Sequence, residues 1–466
     1  MRRLIITLLS LVTCLKVGKS QPVLSQEQLR ADLNQMRTVL ESWHPGYANY
    51  QSQGSLYQKF ETIGRQIEQP MTARQFMRIA RVASAQLQCL HTTISLPASD
   101  YRSIKPATTV FPINVFLTPS NQLVNRDTGD TIRQINGRSA KVIADSLQLY
   151  FSSDGPNSSL KRWAVNRQFS SLYAVRFGLA DSVQLTVVST KGDVRDIRMA
   201  SKAKADSPPA YLADQPHRVL YRSTHFALYT LYNQPDVAVL QLRSVGGLLD
   251  HFKLNRAIRL LQKQSIRQLV LDVRNNTGGR IWTATSLLKR LLPQPTTLAF
   301  ERYRRASGRA SIGLGNQLLR VVYNAKLTLR MPVSRTEQRV RYTYTIQPKR
   351  QQFAGQLTVL TNGGTASAAS LIAAYLREQN RATFIGEETG GSRFVSAGMQ
   401  VPTLRLSNSG LQFRVPMFQV IHTTRLLNDG HGVQPDVVVN EYASGKDLIM
   451  QKALERPAQS SKLITE

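Results

Sequence analysis

Beyond residue 216 the chain alternates buried strand runs with helical patterns, and that alternation leaves few topologies open. Val237-Ala-Val-Leu-Gln-Leu242, Arg267-Gln-Leu-Val-Leu-Asp-Val273, Gln356-Leu-Thr-Val-Leu360 and Thr383-Phe-Ile-Gly386 are apolar and β-branched enough for buried strands. Helical spacing appears between them near 250–264 and 281–292 and again after Ser367, where Leu371, Ala374 and Tyr375 recur. Such a series forms βαβ units, so residues 216–445 read as an α/β domain. The turns that leave the strands at one edge of such a sheet are where sites are built. Residues 298–350 interrupt the alternation with a basic, irregular insert, read as hairpins or a lid.

Two glycine-rich turns fall at that edge. Thr361-Asn-Gly-Gly-Thr-Ala-Ser367 breaks a strand and opens a helix, delivering one small hydroxyl to the first helical turn. Free N–H groups and the positive end of the helix dipole there favour an alkoxide and an oxyanion beside it. The plainer reading of Thr365 or Ser367 is a helix cap. Asp272-Val-Arg-Asn-Asn-Thr-Gly-Gly279 ends the neighbouring strand. Its Gly278 or Gly279, with the N–H of Ala368, could form a two-donor oxyanion pocket; the alternative is an ordinary tight turn.

A serine nucleophile needs a base and a group to orient that base. The seven histidines stand at 44, 91, 217, 225, 251, 422 and 431. His91 lies where a helical pattern passes into the strand-like Thr92-Thr-Ile-Ser-Leu96, at a junction rather than in mid-face. His422 and His431 flank the turn-rich loop Asn428-Asp-Gly-His-Gly-Val-Gln-Pro-Asp436, and either could serve as the base instead. That loop offers Asp429 and Asp436 as orienting acids, against a background of turn chemistry for Asp beside Gly. A lysine base is disfavoured, because no lysine stands between Lys349 and Lys446. Cys89 and His91, two residues apart on one element, are poorly placed for a Cys–His pair. The histidines show no H-E-x-x-H spacing, so neither a zinc site nor any other cofactor is expected.

Upstream, Leu29, Leu33, Met36 and Leu40, then Phe76, Ile79, Ala80 and Ala83, recur at three and four, marking 21–98 as a small helical region. Residues 108–202 change to short alternating runs around a helix at 139–150. A Pro-rich linker follows at 202–216. Met1-Arg-Arg-Leu-Ile-Ile-Thr-Leu-Leu reads as the start of a signal peptide over 1–20, with lipid anchoring at Cys14 the lesser alternative. Cleavage there would leave Cys89 as the sole cysteine and exclude an internal disulfide. The net charge of +31 invites a nucleic-acid hypothesis, yet the basic residues are scattered and no aromatic stacking motif accompanies them. No nucleic-acid partner is expected; a solvated basic surface attracted to an anionic envelope is.

The motifs together resemble the C-terminal processing (tail-specific) proteases and the tricorn protease core, over nearly all of the chain after residue 20. Leu271-Asp-Val-Arg-Asn-Asn-Thr-Gly-Gly279 is similar to the family's D-x-R-x-N-x-G-G element, and Thr365-Ala-Ser-Ala-Ala369 to its nucleophile turn. Ile385-Gly-Glu-Glu-Thr-Gly-Gly391 and Gly432-Val-Gln-Pro-Asp436 resemble two downstream segments; Trp43-His-Pro-Gly-Tyr47 and Leu90-His-Thr92 resemble N-terminal elements of exported bacterial members. The resemblance implies an α/β, crotonase-like catalytic domain of ββα repeats on a parallel sheet at 216–445, a PDZ-like module at 108–202 and the helical N-terminal region. Where the lysine-based branch carries its base, this chain has Ser392. The tricorn-like branch uses a histidine matched by His91 and an acid that aligns at Asp429. Two positions depart from the pattern: Ser370 replaces a usual Glu, and Leu90 a usual polar residue. The implied function is an exported serine endopeptidase acting on peptides or proteins through an acyl-enzyme on Ser367, with His91 as base and Asp429 orienting it. The alternative is a catalytically degenerate homologue that binds peptide termini or the envelope.

Overall fold

Short connections decide the first strand orientations of the central sheet. Three residues link His217–Arg222 to Phe226–Leu231, and Tyr232-Asn233 links the latter to Gln234–Leu242; both pairs are antiparallel. Helices Asp250–Lys263, Ile281–Leu291 and Ala368–Glu378 then lie in the crossovers, and pairing becomes parallel through Gln268–Asp272, Gln356–Thr361, Thr383–Gly386 and Val437–Val438. The seven strands lie in space in the order of the chain. In this computed structural model the described residues are 22–97, 109–203, 217–247, 249–303, 313–422, 425–426, 428–439 and 447–455. The expected signal peptide, Cys14 and nearly all of the 202–216 linker lie outside them.

The crotonase-like expectation of ββα repeats on a parallel sheet does not hold. The seven-stranded sheet is mixed, and a second sheet of five strands, all antiparallel, stands beside it. That sheet takes Thr296–Tyr303, Val333–Arg335 and Arg339–Ile346 from the region read as an irregular insert, and Val395–Gly398 and Phe418–His422 from beyond the Ser367 helix. Buried apolar runs give no sign of strand direction, so the sequence pattern does not separate a parallel repeat from this mixed α/β arrangement.

The N-terminal helices Gln26–Trp43 and Ala73–Ala85 each begin with a reciprocal cap, Ser25 with Gln28 and Thr72 with Gln75. Their apolar faces, including Leu29, Met36, Leu40, Phe76 and Ala80, share one core with Leu240, Leu271 and Val359 of the central sheet. The PDZ-like region has its own core, with Ile132, Ile143, Leu147, Val165 and Leu185 between a six-stranded sheet and helices Ala140–Gln148 and Ser159–Phe177.

Strand Thr93–Ser95, just after His91, pairs with Gln412–Arg414 and sets Ile94 opposite Phe413. Nearby, the buried Asp32 carboxylate accepts hydrogen bonds from the N–H groups of Asn408 (2.9 Å) and Ser409 (2.7 Å). Both contacts tie the N-terminal region to the α/β domain. Because Phe413 is fully buried at this seam, Phe413→Ala should lower stability by about 3–5 kcal/mol in urea unfolding. A loss below about 1 kcal/mol would mean that the seam relaxes around the deleted ring.

Candidate active site

Two turns are knitted together before Ser367 is reached. The Asn362 side-chain oxygen accepts from the N–H groups of Gly364 and Asn275, both at 3.0 Å. Thr365 Oγ1 donates to the Val273 carbonyl at 2.9 Å, and Ala366 N–H to the Asn276 carbonyl at 3.0 Å. Ser370, where the resemblance leads one to expect Glu, donates from Oγ to the Thr365 carbonyl at 2.8 Å and braces the same turn.

Ser367 occupies the N-cap position of helix Ala368–Glu378 with φ 53° and ψ −123°, a conformation that costs a non-glycine residue about 1–3 kcal/mol. Its side chain makes no capping hydrogen bond. Instead Oγ lies 3.0 Å from His91 Nε2. The helix-cap reading therefore does not describe this hydroxyl, which faces a base rather than the helix backbone. Gly278 makes the close approach possible: at φ 102°, a Cβ there would stand 2.7 Å from Ser367 Cβ and 2.9 Å from the Ala368 nitrogen.

His91 arrives from the turn that follows helix Ala73–Ala85, immediately before the strand that pairs with Gln412–Arg414. Its ring packs on Gly398, with Ser396 Oγ 3.4 Å from Nδ1 and the Ala397 backbone close enough to favour the protonated ring. An acceptor beside Nδ1 assigns the proton to that nitrogen and leaves the Nε2 lone pair facing Ser367. Burial, then the Arg414 cation, holds the imidazole pKa down at about 4. At neutral pH the ring is uncharged and able to accept a proton.

The remaining predicted residues are distributed differently. Asp429 pairs with Arg393 at 2.6 Å and accepts the His431 N–H at 3.0 Å; it is not the partner of the His91 ring. His431 Nδ1 lies 3.2 Å from Glu388 Oε1. His422 is buried against Tyr375, with its pKa lowered by burial to about 4. Neither alternative histidine takes the place of His91 beside Ser367. Of the glycine pair, Gly278 donates its N–H to Asn276 Oδ1 at 2.9 Å, while Gly279 and Ala368 stand outside that bond. The Cys89 thiol is buried, directed at the Ala397 carbonyl and pushed up to about 12, which removes it as a nucleophile.

One buried acid at this site escaped the sequence reading. Asp154, only 2% exposed, accepts the Leu90 N–H at 3.1 Å and the Ser392 N–H at 3.4 Å, and has the Ser396 hydroxyl beside it, which favours the charged form. Burial raises its pKa to about 6. In sequence it sits in Ser152-Ser-Asp-Gly-Pro-Asn157, which reads as an ordinary turn. No local signal marks it.

Cavities of about 570 Å³ in the PDZ-like region and about 590 Å³ between helices Asp250–Lys263 and Ile281–Leu291 are lined by neither Ser367 nor His91. Among the described residues no group of three or more His, Cys, Asp or Glu is placed to hold a metal ion, and no helix is long and apolar enough to cross a membrane.

Residues 236–439 match the profile of peptidase family S41. A carboxyl-terminal-processing protease of Synechocystis sp. is 24% identical over 221 residues, 46% of this chain and 44% of that protein. A protein of the same description from Picosynechococcus sp. is 27% identical over 209 residues, covering 43% of this chain and 40% of the relative. The chain thus aligns with less than half the length of either relative. The crystal structure of mature CPAF superimposes with a TM-score of 0.61 at 13% identity, over 89% of this chain and 92% of that one. The chain therefore has a family-level match to the S41 carboxyl-terminal-processing peptidases, carried by residues 236–439, and shares the fold of mature CPAF.

Proposed function

We propose that this protein is a serine endopeptidase that cleaves peptide or protein substrates through an acyl-enzyme on Ser367. The observation that carries the reading is the 3.0 Å approach of His91 Nε2 to Ser367 Oγ, with a neutral imidazole facing a hydroxyl that does no capping. In this mechanism Oγ attacks the substrate carbonyl as His91 takes its proton, and the imidazolium returns that proton to the leaving amine. A water molecule then repeats the sequence to release the acyl group. The N–H groups of Ala368, at the positive end of its helix, and of Gly279 receive the oxyanion.

The alternating-strand region gives the protein a means of holding an extended peptide, and the charged, then apolar, N-terminal segment supports work in the cell envelope. A net charge of +31 favours association with an anionic envelope surface. Lipid attachment at Cys14 is the variant form of the same localisation.

Incubation with an unfolded protein should yield fragments, and a fluorophosphonate should add to the peptide containing Ser367. Ser367→Ala should abolish both, as read by mass spectrometry. Cleavage that survives in Ser367→Ala would assign the activity elsewhere, and an intact protein that neither cleaves nor labels would be a peptide-binding homologue. Gly278→Ala should slow labelling by about 100-fold, because the added methyl must displace the Ser367 turn. An unchanged rate would show that the turn tolerates the displacement.

A further inference from the structure

We infer that Asp154 is the acid of this site and that it acts on His91 through the hydroxyl of Ser396, in the role that sequence resemblance gives to Asp429. The inference rests on the proposed roles of Ser367 and His91. Its geometry is a chain of four side chains: Ser367 Oγ 3.0 Å from His91 Nε2, His91 Nδ1 3.4 Å from Ser396 Oγ, and the Ser396 hydroxyl beside the Asp154 carboxylate, near enough to favour its charged form.

The hydroxyl can carry this link because it both accepts and donates: it shares the Nδ1 proton with the Ala397 carbonyl and directs its own toward the carboxylate. No proton need leave Nδ1. When His91 receives the Ser367 proton at Nε2, the positive ring is stabilised by an anion one hydroxyl away, in surroundings where charges are weakly screened. Ser396 and Asp154 are both buried, so water does not readily substitute for the link. Asp154 also fixes the two backbone segments that flank the ring. One oxygen holds Leu90, the residue before His91; the other holds Ser392, four residues before Ser396.

The charged and titratable groups around these residues leave Asp154 as the group that changes charge near neutral pH. Tyr50 faces Asp154 with its pKa raised by burial, and the Cys89 thiol is pushed up to about 12; both stay neutral. His44, near enough to act on His91, is lowered by burial to about 3 and is likewise neutral. Arg414 lies near enough to act on His91, and Asp429, which acts weakly on Tyr50, is paired with Arg393. Asp154 itself, raised to about 6 by burial, is a carboxylate above that pH and a neutral acid below it. Since His91 is already neutral above about 4, the relay gives Ser367 reactivity an inflection near pH 6 that the histidine alone does not produce.

The test is the rate of fluorophosphonate addition to Ser367 as a function of pH in the full-length protein, comparing wild type with Asp154→Asn, Ser396→Ala and Ser396→Thr. Wild type should show a rise in rate through pH about 6. Asp154→Asn should lose that inflection and react about 100-fold more slowly at neutral pH. Ser396→Ala, which removes only the bridging hydroxyl, should do the same, and Ser396→Thr should restore both rate and inflection. The Ser396 pair keeps the test decisive if Asp154→Asn misfolds. A wild-type protein that labels normally while Ser396→Ala keeps the wild-type profile overturns the relay and leaves the Ser367–His91 pair standing. Absence of labelling in wild type overturns the underlying reading and the relay with it.

Discussion

The 3.0 Å contact between Ser367 Oγ and His91 Nε2 joins side chains 276 residues apart, and much of the architecture bears on keeping it. Ser367 is presented by a strand–turn–helix unit whose backbone is strained and braced from below by Ser370. His91 belongs to a different region and is brought to the site in part by the strand after it, which joins Gln412–Arg414. Neither half contains a complete pair. The seam around Ile94 and Phe413 is consequently as much a part of the site as the residues that face one another across it.

A short buttress links the remaining parts. Residues 152–157, between the two helices of the PDZ-like region, hold the His91 turn from one side: Ser152 Oγ accepts the Cys89 N–H at 3.2 Å, Asp154 accepts that of Leu90, and Gly155 N–H donates to the Gln88 carbonyl at 3.1 Å. From the other side they hold the α/β domain, with Asn157 Nδ2 donating to the Thr389 carbonyl at 2.8 Å. The approach to Gly430 is so close that a Cβ on Gly155 would come within 2.5 Å of its Cα. A shift of the PDZ-like region would move this segment, and with it the histidine. His91 is thereby tied to the PDZ-like region through contiguous hydrogen bonds.

The sequence was informative wherever chemistry is encoded locally. The Ser367 turn, the Gly278–Gly279 turn and the junction at His91 are each short patterns whose backbone consequences follow from their own residues. It was uninformative where the outcome depends on what comes near. Strand direction in the central sheet escaped the motif reading, although Tyr232-Asn233 is too short to be anything but a hairpin turn. Asp429 was reached by aligning a loop, and a motif fixes a loop's course better than the direction of one exposed carboxylate; Arg393 takes it instead. Asp154 had the opposite character, an unremarkable turn residue that becomes significant only when the His91 turn and the Ser392–Ser396 segment close around it.

The most direct test of the central claim is the rate of covalent modification of Ser367 in His91→Ala at neutral pH, with folding checked by circular dichroism. If His91 is the base, the folded variant should react about 1,000-fold more slowly than wild type while Ser367 remains the modified residue. A folded His91→Ala protein that reacts at the wild-type rate would contradict the account, since the hydroxyl would then be activated without the histidine it faces.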